Sequence, residues 1–133
     1  MAGVTLDTGA LIAAERNDRR FWVWWKWQTS RGVVATVPSP VVAQAWRSAR
    51  DVRIAIVLGG CREAAMDPAS SRRTGELCAA ARTADIVDAF VVRGAADRRD
   101  DVLTSDPDDL RALAAHAPGI GKVRTLDDLG PGS

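Results

Sequence analysis

The sequence predicts an α/β fold: a three-layer sandwich with a central parallel sheet of four to five strands and helices on both faces. Two observations carry this expectation. Short apolar runs near residues 4–6, 33–37, 102–104 and 123–126 alternate with longer segments of helical pattern, and strands separated by helices imply parallel pairing with the crossovers packed on the sheet. The run Val33 to Val37 is also β-branched and closely bounded by Gly32 and Pro38, the composition of a strand buried on both faces. A chain of 133 residues with 47% hydrophobic content is long enough for one core, so a single domain is expected over 1–133.

The elements follow in order. Residues 4–6 form the first strand, and Asp7 or Thr8 can cap a helix over residues 9–16 that Asn17-Asp18 breaks. A second helix runs from Arg20 to Gln28 and ends by Gly32. After the strand at 33–37, Pro38-Ser39-Pro40 opens one long helix, VVAQAWRSARDVRIAIVL, which Gly59-Gly60 closes. Residues 62–66 are weakly strand-like at best. Asp67-Pro68 or Ser70-Ser71 caps a helix through Arg82, and a further helix opens with Asp85 and Asp88 and ends in an arginine-rich turn. The strand Val102-Leu103-Thr104 leads to Asp106, then to Pro107 and the helix LRALAAH. Pro118-Gly119 precedes a last strand at 123–126, and the polar Gly/Pro tail, 127–133, is expected to be loose.

Composition narrows the function classes. The net charge is +1, and nearly all the cations are arginine, with Lys26 and Lys122 the only lysines. Arginine's planar fork suits phosphate and so a nucleic-acid partner, although high-GC codon usage produces the same bias. Cys61 and Cys78 are too few and too far apart for a zinc pattern. No signal peptide or membrane span is recognisable, so a cytoplasmic protein with reduced thiols is expected.

The acids are the informative residues. Asp7 and Asp106 each follow a predicted strand, and in sheets of strand-helix-strand units ligands gather outside the carboxyl ends of the strands. Asp85 and Asp88 lie three apart, on one helix face. Carboxylates gathered at one sheet edge repel unless a proton or cation sits among them, which points to a divalent-metal site.

The segments VTLDTGALIAAERND, VPSPVVAQAW, DIVDAFVVRGA and VLTSDPDDLRAL, in that order and spacing, resemble PIN domains, and the whole chain looks like a VapC-type toxin of a bacterial toxin-antitoxin pair. The resemblance covers most of residues 4–126. It implies a PIN-like sandwich, an Mg²⁺- or Mn²⁺-dependent ribonuclease activity on an RNA substrate, frequent homodimerisation and a cognate antitoxin. By position, Asp7, Asp88 and Asp106 match the family's first, third and fourth acids and are the implied metal ligands. The family's usual glutamate after the second strand is replaced by Gln44. Asp85, an acid that many members lack, is expected to support the site and to restore the missing carboxylate.

The chemistry agrees with that reading. Phosphodiester hydrolysis needs a nucleophilic water and a counterion for the charge on phosphate, and a carboxylate-held cation can supply both. His116 is the only histidine, which excludes histidine-pair ribonuclease chemistry and leaves it a structural role. Asp7-Thr8-Gly9 also spells the aspartic-protease triplet, but a helical ALIAAER follows it here.

Each acid has an ordinary explanation as well. Asp7 and Asp106 could cap helices, and Asp85 and Asp88 could favour a positive helix end. Asp100, Asp101, Asp108 and Asp109 read as solvated charge. Arg19, Arg20, Arg93, Arg98 and Arg99 could guide RNA or merely aid solubility. In FWVWWKW the rings spread over roughly 220° of a helix at about 100° per residue, more than a surface helix buries. Two or three are expected in the core and the rest in an exposed patch for a dimer or antitoxin contact. A fold-retaining protein that has lost activity through Gln44, and that binds an antitoxin or RNA, is the alternative reading.

Overall fold

The computed structural model describes residues 3–129 and has the expected architecture. Five strands, β1 (Val4–Leu6), β2 (Ala35–Pro38), β3 (Cys61–Ala64), β4 (Asp101–Leu103) and β5 (Val123–Arg124), form one all-parallel sheet in the order β3-β2-β1-β4-β5. Seven helices join them: α1 (Thr8–Glu15), α2 (Arg19–Ser30), α3 (Ser39–Ala45), α4 (Val52–Gly59), α5 (Pro68–Ala81), α6 (Ile86–Arg98) and α7 (Pro107–Ala114). The chain builds outward from β1 to β3, then crosses to β4 and builds outward on the other side. Right-handed crossovers therefore put α1 to α4 on one face and α5 to α7 on the other, and the helices pack mainly within those two groups, with α3 also touching α6.

The strands carry the core. Leu6, Val37, Val102 and Leu103 are almost wholly buried between the layers, as a parallel sheet covered on both faces requires. From the helices come Leu11, Phe21, Val41, Ile54, Val91, Val92 and Leu110, and full burial of a side chain such as Phe21 contributes about 1.5 to 3 kcal/mol.

Several boundaries differ from the sequence reading. The single long helix expected after Pro40 is two helices, α3 and α4, parted by residues 46–51. Asp51 accepts hydrogen bonds from the backbone N–H groups of Arg47 and Ser48 at 3.1 and 3.3 Å. That local alternative to helical pairing carries no glycine or proline mark in the sequence. The weakly strand-like stretch is a true edge strand, β3, whose outer residues Arg62 and Glu63 are exposed; charge on an edge strand discourages pairing with other chains. The last strand is only two residues long. A 3-10 turn over Leu126–Asp128 follows it, closed by a capping box between Thr125 and Asp128. The tail is therefore ordered to Leu129, and the rest of the segment expected to be loose lies outside the described residues.

The tryptophan helix differs too. Phe21, Trp24 and Trp25 are buried, as expected for two or three rings. Trp22 and Trp27, however, are half-buried against the core rather than forming an exposed patch. The Trp22 indole donates to the Ala14 carbonyl at 3.2 Å, and the Arg31 guanidinium covers Trp27 at 4.7 Å. On this helix the exposed large apolar side chain is Val23, and others lie elsewhere, among them Val52 and Ile56 on α4, 61% and 55% exposed. Among the described residues no helix is long and apolar enough to cross a membrane.

Candidate metal centre

The strand order puts a reversal of direction between β1 and β4, and in open parallel sheets the crevice at such a reversal, outside the carboxyl ends of the strands, is where ligands bind. The register of that pair is Leu6 opposite Leu103. Asp7 and Thr104, one residue on, therefore stand level at the top of the sheet. The Asp7 N–H donates to the Leu103 carbonyl at 3.0 Å, and the fully buried Thr104 hydroxyl donates to Asp7 Oδ2 at 2.9 Å. Sequence reading placed Thr104 in a strand and missed this contact, which only the pairing of β1 with β4 creates.

Gly9 lets the first turn of α1 close onto the loop after β4. A Cβ built there would come within 2.7 Å of the Ser105 backbone nitrogen, so a side chain would push the two loops of the site apart.

Asp7 and Asp106 both occupy N-cap positions, of α1 and α7, yet neither side chain makes a cap hydrogen bond. Of the four other aspartate N-caps among the described residues, Asp51 at the start of α4 makes no cap bond either, its carboxylate being taken by the Arg47 and Ser48 N–H groups, while three do cap their helices. Asp18 accepts from the Arg20 N–H, Asp67 from the Ser70 N–H and Asp85 from the Asp88 N–H. The two strand-end acids thus make no capping hydrogen bond to the helices they precede.

Burial is the main cause that raises the Asp7 pKa. The Thr8 N–H and the Thr104 hydroxyl pull it down again, and the Asp85 and Asp106 charges push it up. Asp88, half-buried in the first turn of α6, is pushed up to about 7. Burial is the leading cause, followed by a hydrogen bond to Asp85 and the charges of Asp7, Asp85 and Asp109. The charges of Asp85 and Asp106 thus act on Asp7, and those of Asp7 and Asp85 on Asp88, at this edge. Asp85 has a double position, because its Oδ1 also caps α6.

Asp109, read as solvated, lies near enough to act on Asp88. Asp100 also departs from the solvated reading. It is buried at the start of β4, where it accepts from Thr5 at 2.8 Å and pairs with Arg98 at 3.0 Å. Asp101 accepts from the Lys122 N–H at 2.8 Å.

Among the described residues, no three acidic, histidine or cysteine side chains converge at coordination distance from one point. The donor set still fits a hard divalent cation in kind: oxygen donors only, one of them buried, in mutual repulsion that a cation would relieve. Gln44, on α3, accepts from the Thr8 hydroxyl at 2.5 Å, so it borders the site through the residue after Asp7.

No family profile and no curated protein matches the chain. Among solved structures it is similar to the crystal structure of PAE2754 from Pyrobaculum aerophilum, with a TM-score of 0.64 over 96% of this chain and 93% of that one. The two chains share a fold. At 16% identity the likeness extends no further than that.

The candidate RNA-guiding arginines are largely engaged within the protein. Arg20 pairs with Asp18 and Asp127, Arg93 with Asp97, and Arg98 with Asp100, whereas Arg19 and Arg99 are exposed. His116 lies just past α7, at the end away from Asp106, in a cleft with Arg73 and Arg93. Both cysteines are free, and burial pushes the Cys61 thiol up to about 12, so it is not a reactive thiolate.

Proposed function

We propose that this protein is a divalent-cation-dependent ribonuclease of PIN type, the toxin of a toxin-antitoxin pair, acting in the cytoplasm. One observation carries the nuclease reading. A buried aspartate, a half-buried aspartate held protonated to near neutrality and a strand-end aspartate free of capping duty gather where the sheet reverses direction. A buried carboxylate is normally paired with a cation of the protein or fully hydrogen-bonded. Among the described residues, neither Asp7 nor Asp88 has a salt bridge.

Asp7, Asp88 and Asp106 would hold the cation, with Asp85 beside them. A bound Mg²⁺ or Mn²⁺ would supply a water acidic enough to attack at neutral pH and a counterion for charge gathering on phosphate. Thr104 orients Asp7 and shields one of its oxygens. Asp85, with its Oδ1 on the α6 N-terminus, has one oxygen left to face the site.

The toxin assignment, with its antitoxin partner and dimeric state, is supported by the resemblance of the four sequence segments. The binding-protein alternative is favoured by the absence, among the described residues, of three ligands at coordination distance. Incubation with a mixed RNA pool decides between them: cleavage with Mg²⁺ or Mn²⁺ that EDTA abolishes is expected, and its absence at any protein concentration leaves the binding module. A small DNA-binding protein encoded beside this one should block that cleavage when added; one that binds without inhibiting would remove the antitoxin assignment.

A further inference from the structure

Gln44 is exposed in the second turn of α3, and its amide is held from one side. The Thr8 hydroxyl donates to Oε1 at 2.5 Å. A carboxamide has one acceptor oxygen and a nitrogen with two donor hydrogens. With the oxygen turned to Thr8, the end left to solvent is the NH₂ group, and among the described residues it donates to no protein atom. Thr8 follows Asp7 directly, so this free donor pair stands at the rim of the carboxylate site.

The partner of such a group is restricted by chemistry. A neutral amide brings no charge to a hard cation and offers it only the oxygen, one of whose two lone pairs already accepts from the Thr8 hydroxyl. An anion brought to the acids has outward oxygens that need donors, and a hydrogen bond to a charged acceptor is the stronger kind. We propose that the Gln44 amide, aimed by Thr8, donates to a non-bridging phosphate oxygen of an RNA strand lying across Asp7 and Asp88. It is then a substrate-positioning residue and not a cation ligand. This assignment rests on the ribonuclease reading above.

Two affinities, measured separately, test it: that for a labelled short single-stranded RNA with Ca²⁺ present to neutralise the acids, by fluorescence anisotropy, and that for Mn²⁺ without RNA, by calorimetry. Gln44→Leu should lower RNA affinity about tenfold, the range of one hydrogen bond to a charged group, and leave Mn²⁺ affinity within about twofold of wild type. Gln44→Glu should lower RNA affinity further, through like charge, while raising Mn²⁺ affinity. Thr8→Val loses the same intramolecular bond but keeps the amide, so it should weaken RNA binding less than Gln44→Leu; equal losses would assign the effect to the bond itself and overturn the proposal. RNA affinity of Gln44→Leu within about twofold of wild type, or a fall in Mn²⁺ affinity matching the fall in RNA affinity, would overturn it too. A wild type that binds RNA but never cuts it removes the ribonuclease reading and leaves the affinities to decide Gln44. A wild type that binds no RNA removes both.

Discussion

Burial first, and then its acidic neighbours, sets the charge of Asp88. In the folded chain it holds its proton to about 7, whereas its ordinary value is 3.8. The native state therefore binds more protons than the unfolded chain between those values, and stability falls as pH rises through that window. Without metal, the melting temperature of the wild type should drop between about pH 4 and about pH 7, and Asp88→Asn should flatten the drop. Parallel profiles for the two would show that Asp88 does not carry the strain. Asp85 allows its two roles to be separated. Asparagine caps a helix about as well as aspartate, so Asp85→Asn should keep stability while lowering metal-dependent cleavage. Asp85→Ala should lose the cleavage and also about 0.5 to 2 kcal/mol of stability. If Asp85→Asn cleaves at the wild-type rate while Asp85→Ala is destabilised, Asp85 is a cap alone, and the idea that it replaces a carboxylate at Gln44 is wrong.

At the scale of elements, α4 shows how far an apolar pattern can mislead. Its sequence, VRIAIVLG, is nearly all apolar, yet only one side meets the core. Ile54 and Val57 are fully buried, while Val52 and Ile56 face out. Ile54→Ala should therefore cost about 2 to 5 kcal/mol, and Ile56→Ala should stay within about 0.5 kcal/mol, both read from denaturant midpoints. Equal costs would mean that Ile56 is covered in solution. The tryptophan-rich α2 shows the reverse. Its rings span more of the helix than one face, but α1, Gly60 just past α4 and the turn at Leu126 take up the excess. An apolar arc wider than the usual stripe is thus absorbed by neighbours on several sides.

For the whole molecule, the reversal of strand order between β1 and β4 brings together acids more than eighty residues apart in sequence. The unpaired carboxylates there destabilise the metal-free fold, and a cation bound only by the native state adds stability by mass action. Mg²⁺ or Mn²⁺ should raise the melting temperature of the wild type, by an amount growing with concentration, and Asp88→Asn should lose most of that gain. Equal shifts in the two proteins would take Asp88 out of the site.

The sequence by itself determined the class of fold and most of the elements, and it singled out Asp7 and Asp106 after strands and Asp85 and Asp88 at a helix start. These rest on local rules: apolar runs of strand length, capping residues at helix starts, and glycine or proline where the chain must turn. Asp67, with its serine three residues on, was legible in that way. Tertiary structure decided which acids are free and which are used. Asp7, Asp85, Asp100 and Asp106 are the same residue type, each at the end or start of an element. Yet Asp85 caps a helix, Asp100 is buried against Arg98 and Thr5, and Asp7 and Asp106 cap nothing. The contacts of Thr104 with Asp7, Thr8 with Gln44 and Asp109 with Asp88 were equally hidden. Each joins residues from elements distant in sequence, and only the order and register of the strands set those distances. A carboxylate's pKa depends on what surrounds it, and a local pattern specifies only what precedes and follows it.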